Sequence, residues 1–364
     1  MPKVTVLLPT LQSGRHLAQT LESIRAQTFQ DYELLVVDDG STDQTLSLLG
    51  AAADPRLRVI QGKRTGLADA LNLGIASALG EYVARIDGDD RMVPERLEKQ
   101  ARYMDAHPET VICGGWQQYF GLSTFLHAPP SSDAQCRANL LFRCDLCHST
   151  LMLRKSVFIE HQLWYDSRFA AEDFQLWTRV QDYGKIANLP EILGYYREDG
   201  RSITSSKKQR LIRENGEIVA ATLERALQIH LTPRQRLYFA GWINPFYQRS
   251  VSRKERAAAW ADLQSLFRNI LCRNRSVNYY QEEALCAALR AEWLSLRYNL
   301  PFVLPAEPAT EELLFQKKSP PGVFREKLRS FCRNYKGIYR KYKKLCMVLH
   351  RPANAQQAEK ERET

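Results

Sequence analysis

The stretch ARIDGDD, residues 84–90, sets Asp87, Asp89 and Asp90 within four positions. The residues that lead into it, Glu81 to Ile86, are mostly apolar and read as a buried strand. Two carboxylates about 5 Å apart repel by roughly 3 kcal/mol at an effective dielectric near 20. Something positive must offset such a cluster, and there are three candidates: Arg85, bulk water or a divalent cation.

Outward from this strand the chain alternates strand and helix patterns. VTVLLP (4–9), YELLVVDD (32–39) and LRVIQ (57–61) read as strands. Leu17, Leu21 and Ile24 recur at helical spacing, Thr42 and Asp43 suit a helix start ahead of Leu46 and Leu49, and Leu67 to Ala78 make a third helix. Pro94 to His107 makes a fourth, with Leu97, Ala101 and Met104 on one face. Alternating units of this kind predict a mostly parallel sheet flanked by helices. Ligands then bind beyond the carboxyl ends of the strands. Asp38-Asp39 and Asp87-x-Asp89 both fall at such ends. From about 111 to 205 the pattern is less regular, with strands in VICGGWQQYF and PEILGYYRED. From Lys207 to about Asn299 it reads as helices, and proline-punctuated PFVLPAEP (301–308) reads as a linker.

Several function classes lose ground. PTLQSGRHL has one glycine where a dinucleotide fingerprint needs three, and GKRTG (62–66) lacks the order of a phosphate-binding P-loop. No apolar run approaches the roughly 20 residues of a membrane span. The chain enters a strand pattern at once, so no secretory signal and a cytoplasmic location are expected. Eight cysteines lie between Cys113 and Cys346. Cys144-x-x-Cys147-His148 with Cys136 nearby has the beginnings of a zinc site, but the second half of a double CxxC pattern is missing. Buried thiols are the expectation.

VTVLLPT, ELLVVDDGSTD, GLADALNLGIASALGEYVARIDGDDRMVPERLEKQ and AAEDFQLWTRV, in this order, resemble the successive motifs of inverting family 2 glycosyltransferases. The match spans roughly residues 1–205. The arginine ahead of the acidic triplet and PERLEKQ after it resemble bacterial enzymes of exopolysaccharide and lipopolysaccharide assembly. The resemblance implies a GT-A fold over 1–205, with a nucleotide-binding half (1–90) and an acceptor half (91–205). A helical region (206–300) and a linker with a basic amphipathic tail (301–364) follow. It implies a nucleoside-diphosphate sugar, a UDP-sugar first, and Mn2+ or Mg2+ as cofactor. It makes Asp89 the direct metal ligand and places Asp87 at the ribose or the metal. Asp173 becomes the base that deprotonates the acceptor, with Glu172 its neighbour.

The chemistry of the residues agrees. Asp87 and Asp89 are two apart, and in an extended segment they point the same way. Hard cations take carboxylate and phosphate oxygens. A carboxylate at Asp39 accepts a base N–H, with Pro9 and Thr10 lining the same pocket, and Lys63, Arg64 and Arg85 are the nearest cations. Glu172 and Asp173 open an amphipathic helix, where acids are favoured by the helix dipole alone. Two departures stand out. Asp199, in YYREDGRSIT, sits where the family often has a histidine, and no Q-x-x-R-W motif of processive synthases follows. A single addition to a saccharide or lipid-linked acceptor is therefore expected. Transfer to a polyprenyl phosphate is the alternative, and a non-catalytic sugar-nucleotide binder of the same fold is another.

The net charge of +10 is unevenly placed. Twelve basic residues between Lys317 and Arg351 face Glu326 alone, so this segment carries +11 and the rest of the chain −1. Phe324, Leu328, Phe331, Tyr335, Ile338, Tyr342 and Leu345 interleave with those cations largely in steps of three or four. The segment reads either as a solvated end or as a helix that lies on an anionic membrane surface. Nucleic acid is disfavoured, because no recognised module accompanies the charge.

Overall fold

The computed structural model describes residues 1–199, 208–240, 251–299, 310 and 314. The first strands are β1 (Val4–Thr10), β2 (Tyr32–Asp38), β3 (Leu57–Gln61) and β4 (Tyr82–Arg85), separated by α1 (Leu17–Arg25), α2 (Thr45–Ala51) and α3 (Leu67–Ser77). They pair in parallel in the order β3-β2-β1-β4, with Thr10 opposite Asp38 and Leu7 opposite Arg85. The chain winds from β1 out to β3 and then returns to lay β4 on the other side of β1. Such a reversal leaves a crevice at the carboxyl ends of the two central strands. The ARIDGDD loop begins there.

Side chains on these strands divide by parity, as a two-residue period requires. Val4, Val6 and Leu8 of β1 enter one core with Leu17, Leu21 and Ile24 of α1. Leu7 enters the other core with Leu71 and Ile75 of α3. Burial on both faces explains why β1, β2 and β4 are largely apolar runs in the sequence.

Next come β5 (Arg91–Met92), α4 (Arg96–Ala106), β6 (Thr110–Gly121), β7 (Leu126–His127), α5 (Asp133–Leu140), β8 (Met152–Arg154), α6 (Lys155–Glu160), α7 (Glu172–Val180) and β9 (Lys185–Glu198). The sheet continues from β4 as β8-β6-β9-β5, with β7 paired to β6. Its parallel ladders run four to eleven residue pairs and its antiparallel ladders two or three. Most of the pairing is therefore parallel, within a mixed sheet. α2 starts at Thr45, three residues later than Thr42 suggests, because Thr42 and Asp43 are tied back to Gln12 and Gly14.

Helices α8 (Lys208–Leu227), α9 (Pro233–Arg236), α10 (Arg253–Val277) and α11 (Glu282–Asn299) follow. Ser252 and Glu255 form a capping box that opens α10, and Asn278 in the left-handed region closes it. Asn215 of α8 donates to the Phe239 carbonyl at 2.7 Å and to the Phe142 carbonyl at 3.4 Å, joining the helical region to the loop after α5. The predicted linker over 301–308 and the basic segment from Lys317 onward lie outside the described residues.

Candidate active site

The crevice is built from four loops. The loop after β1 and the loop after β2 are laced together. Gln12 Oε1 accepts from the Thr42 and Asp43 amides at 3.0 Å each, and Asp43 accepts from the Gly14 amide at 2.9 Å. Thr10 donates to Asp38 at 3.1 Å, and Pro9 is buried beside Val37. Asp39 holds the third loop, accepting from the Thr65 amide at 3.2 Å and the Gly66 amide at 2.8 Å. This places Arg64 at the loop's exposed tip, in the left-handed region, with its side chain against Gly40. A Cβ at Gly40 would fall 2.5 Å from Arg64 Cγ, so only glycine lets the arginine lie there.

The fourth loop is the acidic one. It touches the first through Gly88, where an added Cβ would meet Ser13 Oγ at 2.6 Å. Arg85 is 4% exposed and grips Asp87 with both terminal nitrogens, at 2.7 and 2.5 Å. This bidentate pair neutralises one carboxylate of the three. The other two have no such partner. Burial first, then the charges of Asp87 and Asp199, push Asp89 up to about 6. Burial and the charges of Asp87 and Asp89 push Asp90 well above the usual carboxylate range. Asp90 Oδ1 accepts from the Arg197 amide at 2.9 Å, while its Oδ2 is buried with no hydrogen bond. Arg197 also donates to the Asp89 carbonyl at 3.1 Å. The loop is thus held from β9 while its negative charge stays largely uncompensated.

That imbalance suits a hard cation. The donors are carboxylate oxygens, the ligand type for Mg2+ or Mn2+. Among the described residues no three His, Cys, Asp or Glu side chains converge into a ready-made cage. A cation here would need phosphate oxygens and water to complete its shell, which is the usual habit of Mg2+.

α7 presents Glu172 and Asp173 in its first turn, both half-buried. Phe174, Trp177 and Val180 pack into the core below. Asp173 Oδ1 accepts from the Phe174 amide at 2.7 Å, and Oδ2 lies 4.0 Å from His148 Nδ1. Burial raises the Asp173 carboxyl above its ordinary value, while the charge of Arg85 opposes that rise and Asp87 adds to it. The charges of the acidic loop are thus felt at the start of α7.

Sequence reasoning missed the groups that hold these loops in place. Ser149 accepts from the Asp87 amide at 3.0 Å. Arg96 is fully buried and donates to the carbonyls of Arg85, Ser149 and Leu151 and to Gln100. Its signal was present in PERLEKQ, where Arg96 and Gln100 stand one helical turn apart on the side of the helix that is otherwise apolar. Glu214 on α8 accepts from the Ala170 and Ala171 amides at 2.7 and 2.9 Å and so holds the start of α7. No local pattern marks it. Cys136 and Cys147 are buried and Cys144 packs against the core. Cys136 donates to the Pro130 carbonyl at 3.1 Å, and burial pushes the Cys136, Cys144 and Cys147 thiols up.

Comparison with known proteins fits this geometry. The family model Glycosyl transferase family 2 matches residues 5–162. The chain is 33% identical over 210 residues to EpsE of Bacillus subtilis (strain 168), named a glycosyltransferase, covering 54% of this chain and 74% of EpsE. It is 32% identical over 199 residues to the amylovoran biosynthesis glycosyltransferase AmsE of Erwinia amylovora, covering 53% of this chain and 74% of AmsE. This chain belongs to glycosyl transferase family 2. A crystal structure of S. aureus TarS 1–349 in complex with UDP-GlcNAc shares the GT-A fold with a TM-score of 0.53 at 19% identity, covering 82% of this chain and 92% of TarS 1–349. The matched residues 5–162 include the four loops, and α7 follows them in the chain. Among the described residues no helix is long and apolar enough to cross a membrane.

Proposed function

We propose that this chain is an inverting, metal-dependent glycosyltransferase. It moves one sugar from a UDP-sugar to a saccharide or lipid-linked saccharide during synthesis of a bacterial surface polysaccharide. The observation that carries the reading is the acidic loop at the β1–β4 crevice, where Arg85 satisfies Asp87 and leaves Asp89 and Asp90 in want of positive charge. The relatives support the setting, since AmsE is named for amylovoran biosynthesis. A uridine donor is supported by TarS, whose related fold accommodates UDP-GlcNAc.

In this reading residues 1–90 bind the nucleotide and 91–205 receive the acceptor. Asp39 spends one lone pair of each oxygen on the Thr65 and Gly66 amides and keeps others for a base N–H. Pro9 and Thr10 wall that pocket, and Arg64 lies over its rim beside Gly40. Asp89, with Asp87 beside it, would hold Mn2+ or Mg2+, which when bound neutralises charge on the departing diphosphate. Asp173 takes the proton from the acceptor hydroxyl, with Glu172 beside it. The acceptor oxygen bonds to the anomeric carbon as that carbon's bond to the diphosphate oxygen breaks on the opposite face, so configuration inverts. A protein doing this work belongs in the cytoplasm, and the basic tail would bring it to the inner face of the membrane, where lipid-linked acceptors are found.

Calorimetric titration of UDP, with GDP, CMP and dTDP as controls, tests the donor site. UDP binding that needs Mn2+, disappears in EDTA and is lost in Asp89→Ala is the expected result. Absence of nucleotide binding by the folded protein under every metal condition would overturn the reading.

A further inference from the structure

The proposed base has a histidine behind it that the reaction as written does not use. His148 is 13% exposed, beside the Trp177 and Tyr165 rings. One ring nitrogen, Nε2, lies 2.8 Å from the Tyr165 hydroxyl. The other, Nδ1, faces Asp173 Oδ2 at 4.0 Å. Tyr165 is itself fixed through its backbone, because Asn72 donates to its carbonyl and accepts from its amide, both at 2.8 Å. The elements are far apart in sequence: Asn72 is on α3, His148 follows α5, Tyr165 precedes α7 and Asp173 opens it.

We infer that His148 is a positioning residue for Asp173, held as the Nδ1–H tautomer by Tyr165 so that this N–H points at the Asp173 carboxylate. The tautomer follows from the two neighbours. A neutral imidazole has one donor and one acceptor nitrogen. A bare Nδ1 would set a lone pair against a carboxylate, so the proton belongs on Nδ1 and Nε2 accepts from the Tyr165 hydroxyl. Burial and the nearby Arg85 charge push the His148 proton affinity well below its ordinary value, so the ring is neutral at neutral pH. At 4.0 Å the His148–Asp173 contact is open, and such contacts commonly tighten when substrate binds. Closing it fixes the rotamer of Oδ2, the oxygen left for the acceptor proton while Oδ1 is held by the Phe174 amide.

The inference rests on Asp173 being the base, and the test separates the two. Nitrogen-15 NMR of the full chain labelled at histidine reads the tautomer with no substrate present. The expected spectrum has His148 protonated at Nδ1, a mixture of tautomers in Tyr165→Phe, and a displaced Nδ1 signal in Asp173→Asn. An Nε2–H tautomer in the unaltered protein, or a His148 signal indifferent to Asp173→Asn, overturns it. UDP release from UDP-glucose, UDP-galactose and UDP-N-acetylglucosamine, with water as acceptor, reads the consequence. His148→Gln, whose amide reproduces Nε2, should lower kcat roughly ten- to a hundredfold at unchanged KM, the size usual for losing an orienting partner. His148→Asn, whose amide reproduces Nδ1, should recover most of it. Equal losses in the two variants would mean a packing role only and overturn the inference. Undiminished UDP release by Asp173→Asn alongside the expected spectrum would instead sink the base assignment and leave the tautomer standing.

Discussion

Asp89, the proposed metal ligand, works against the stability of the fold. Its carboxyl sits at about 6, above the ordinary value of 3.8. The folded state therefore binds this proton more tightly than the unfolded chain does. The stability the group contributes is full below about 4 and is lost as pH rises through about 6. At neutral pH the cost is at most about 3 kcal/mol, and partial exposure brings it to about 1–2 kcal/mol. Asp89→Asn should consequently raise Tm by a few degrees in EDTA at pH 7.5, as scanning calorimetry would show, while abolishing metal-linked UDP binding. In the unaltered protein that binding should weaken about tenfold per unit as pH falls below 6, since a cation competes with the proton for Asp89. Arg85 behaves in the opposite way. It is buried against Asp87, and Arg85→Met would strand a partly buried carboxylate beside two others. A loss of about 3–5 kcal/mol in chemical denaturation is expected. Within ARIDGDD, Arg85 takes one carboxylate and leaves two. The sequence could name these candidates but not apportion them, since which oxygen faces Arg85 is a matter of rotamers inside the fold.

At the scale of elements, α7 was legible because Phe174, Trp177 and Val180 carry a helical period and Glu172-Asp173 suit a first turn. Strands β1 to β4 were legible as apolar runs of the right length. Strands β5, β7 and β8 were not, because pieces of two or three residues take their conformation from the strands they pair with. The tether from α8 to α7 was equally hidden, as a lone glutamate on a polar helix face looks like any other. Glu214→Ala leaves the Ala170 and Ala171 amides without their acceptor at the helix start. The expected cost is about 1–2 kcal/mol in urea denaturation, together with a fall in kcat if Asp173 is the proposed base, because a small shift of α7 moves that carboxylate. Glu214→Gln keeps one acceptor oxygen and should lose less on both counts. The buried Arg96 ties α4 to the ends of β4 and β8 in the same manner. Arg96→Leu strands the Arg85 and Ser149 carbonyls, while the Leu151 carbonyl keeps its bond from the Arg85 amide, and a loss of about 2–3 kcal/mol is expected by the same measurement.

Across the whole molecule, charge is unevenly divided along the sequence. Lys317 to Arg351 holds +11 and the rest of the chain sums to −1. The family motifs end well before that segment, and every loop of the site is built from residues up to Asp199. Site and tail should then fail independently. Removal of 317–364 is expected to leave the Mn2+-dependent UDP titration and its stoichiometry unchanged. The same truncation should abolish co-sedimentation with vesicles containing anionic phosphatidylglycerol and leave the negligible binding to neutral phosphatidylcholine vesicles as it was. Each basic residue near such a surface contributes about 1 kcal/mol, screened by salt. Binding of the full chain should therefore fall steeply as NaCl rises from low to physiological concentration. Vesicle binding that survives truncation would move the membrane contact onto the catalytic domain. UDP binding lost on truncation would mean that the tail completes the donor site.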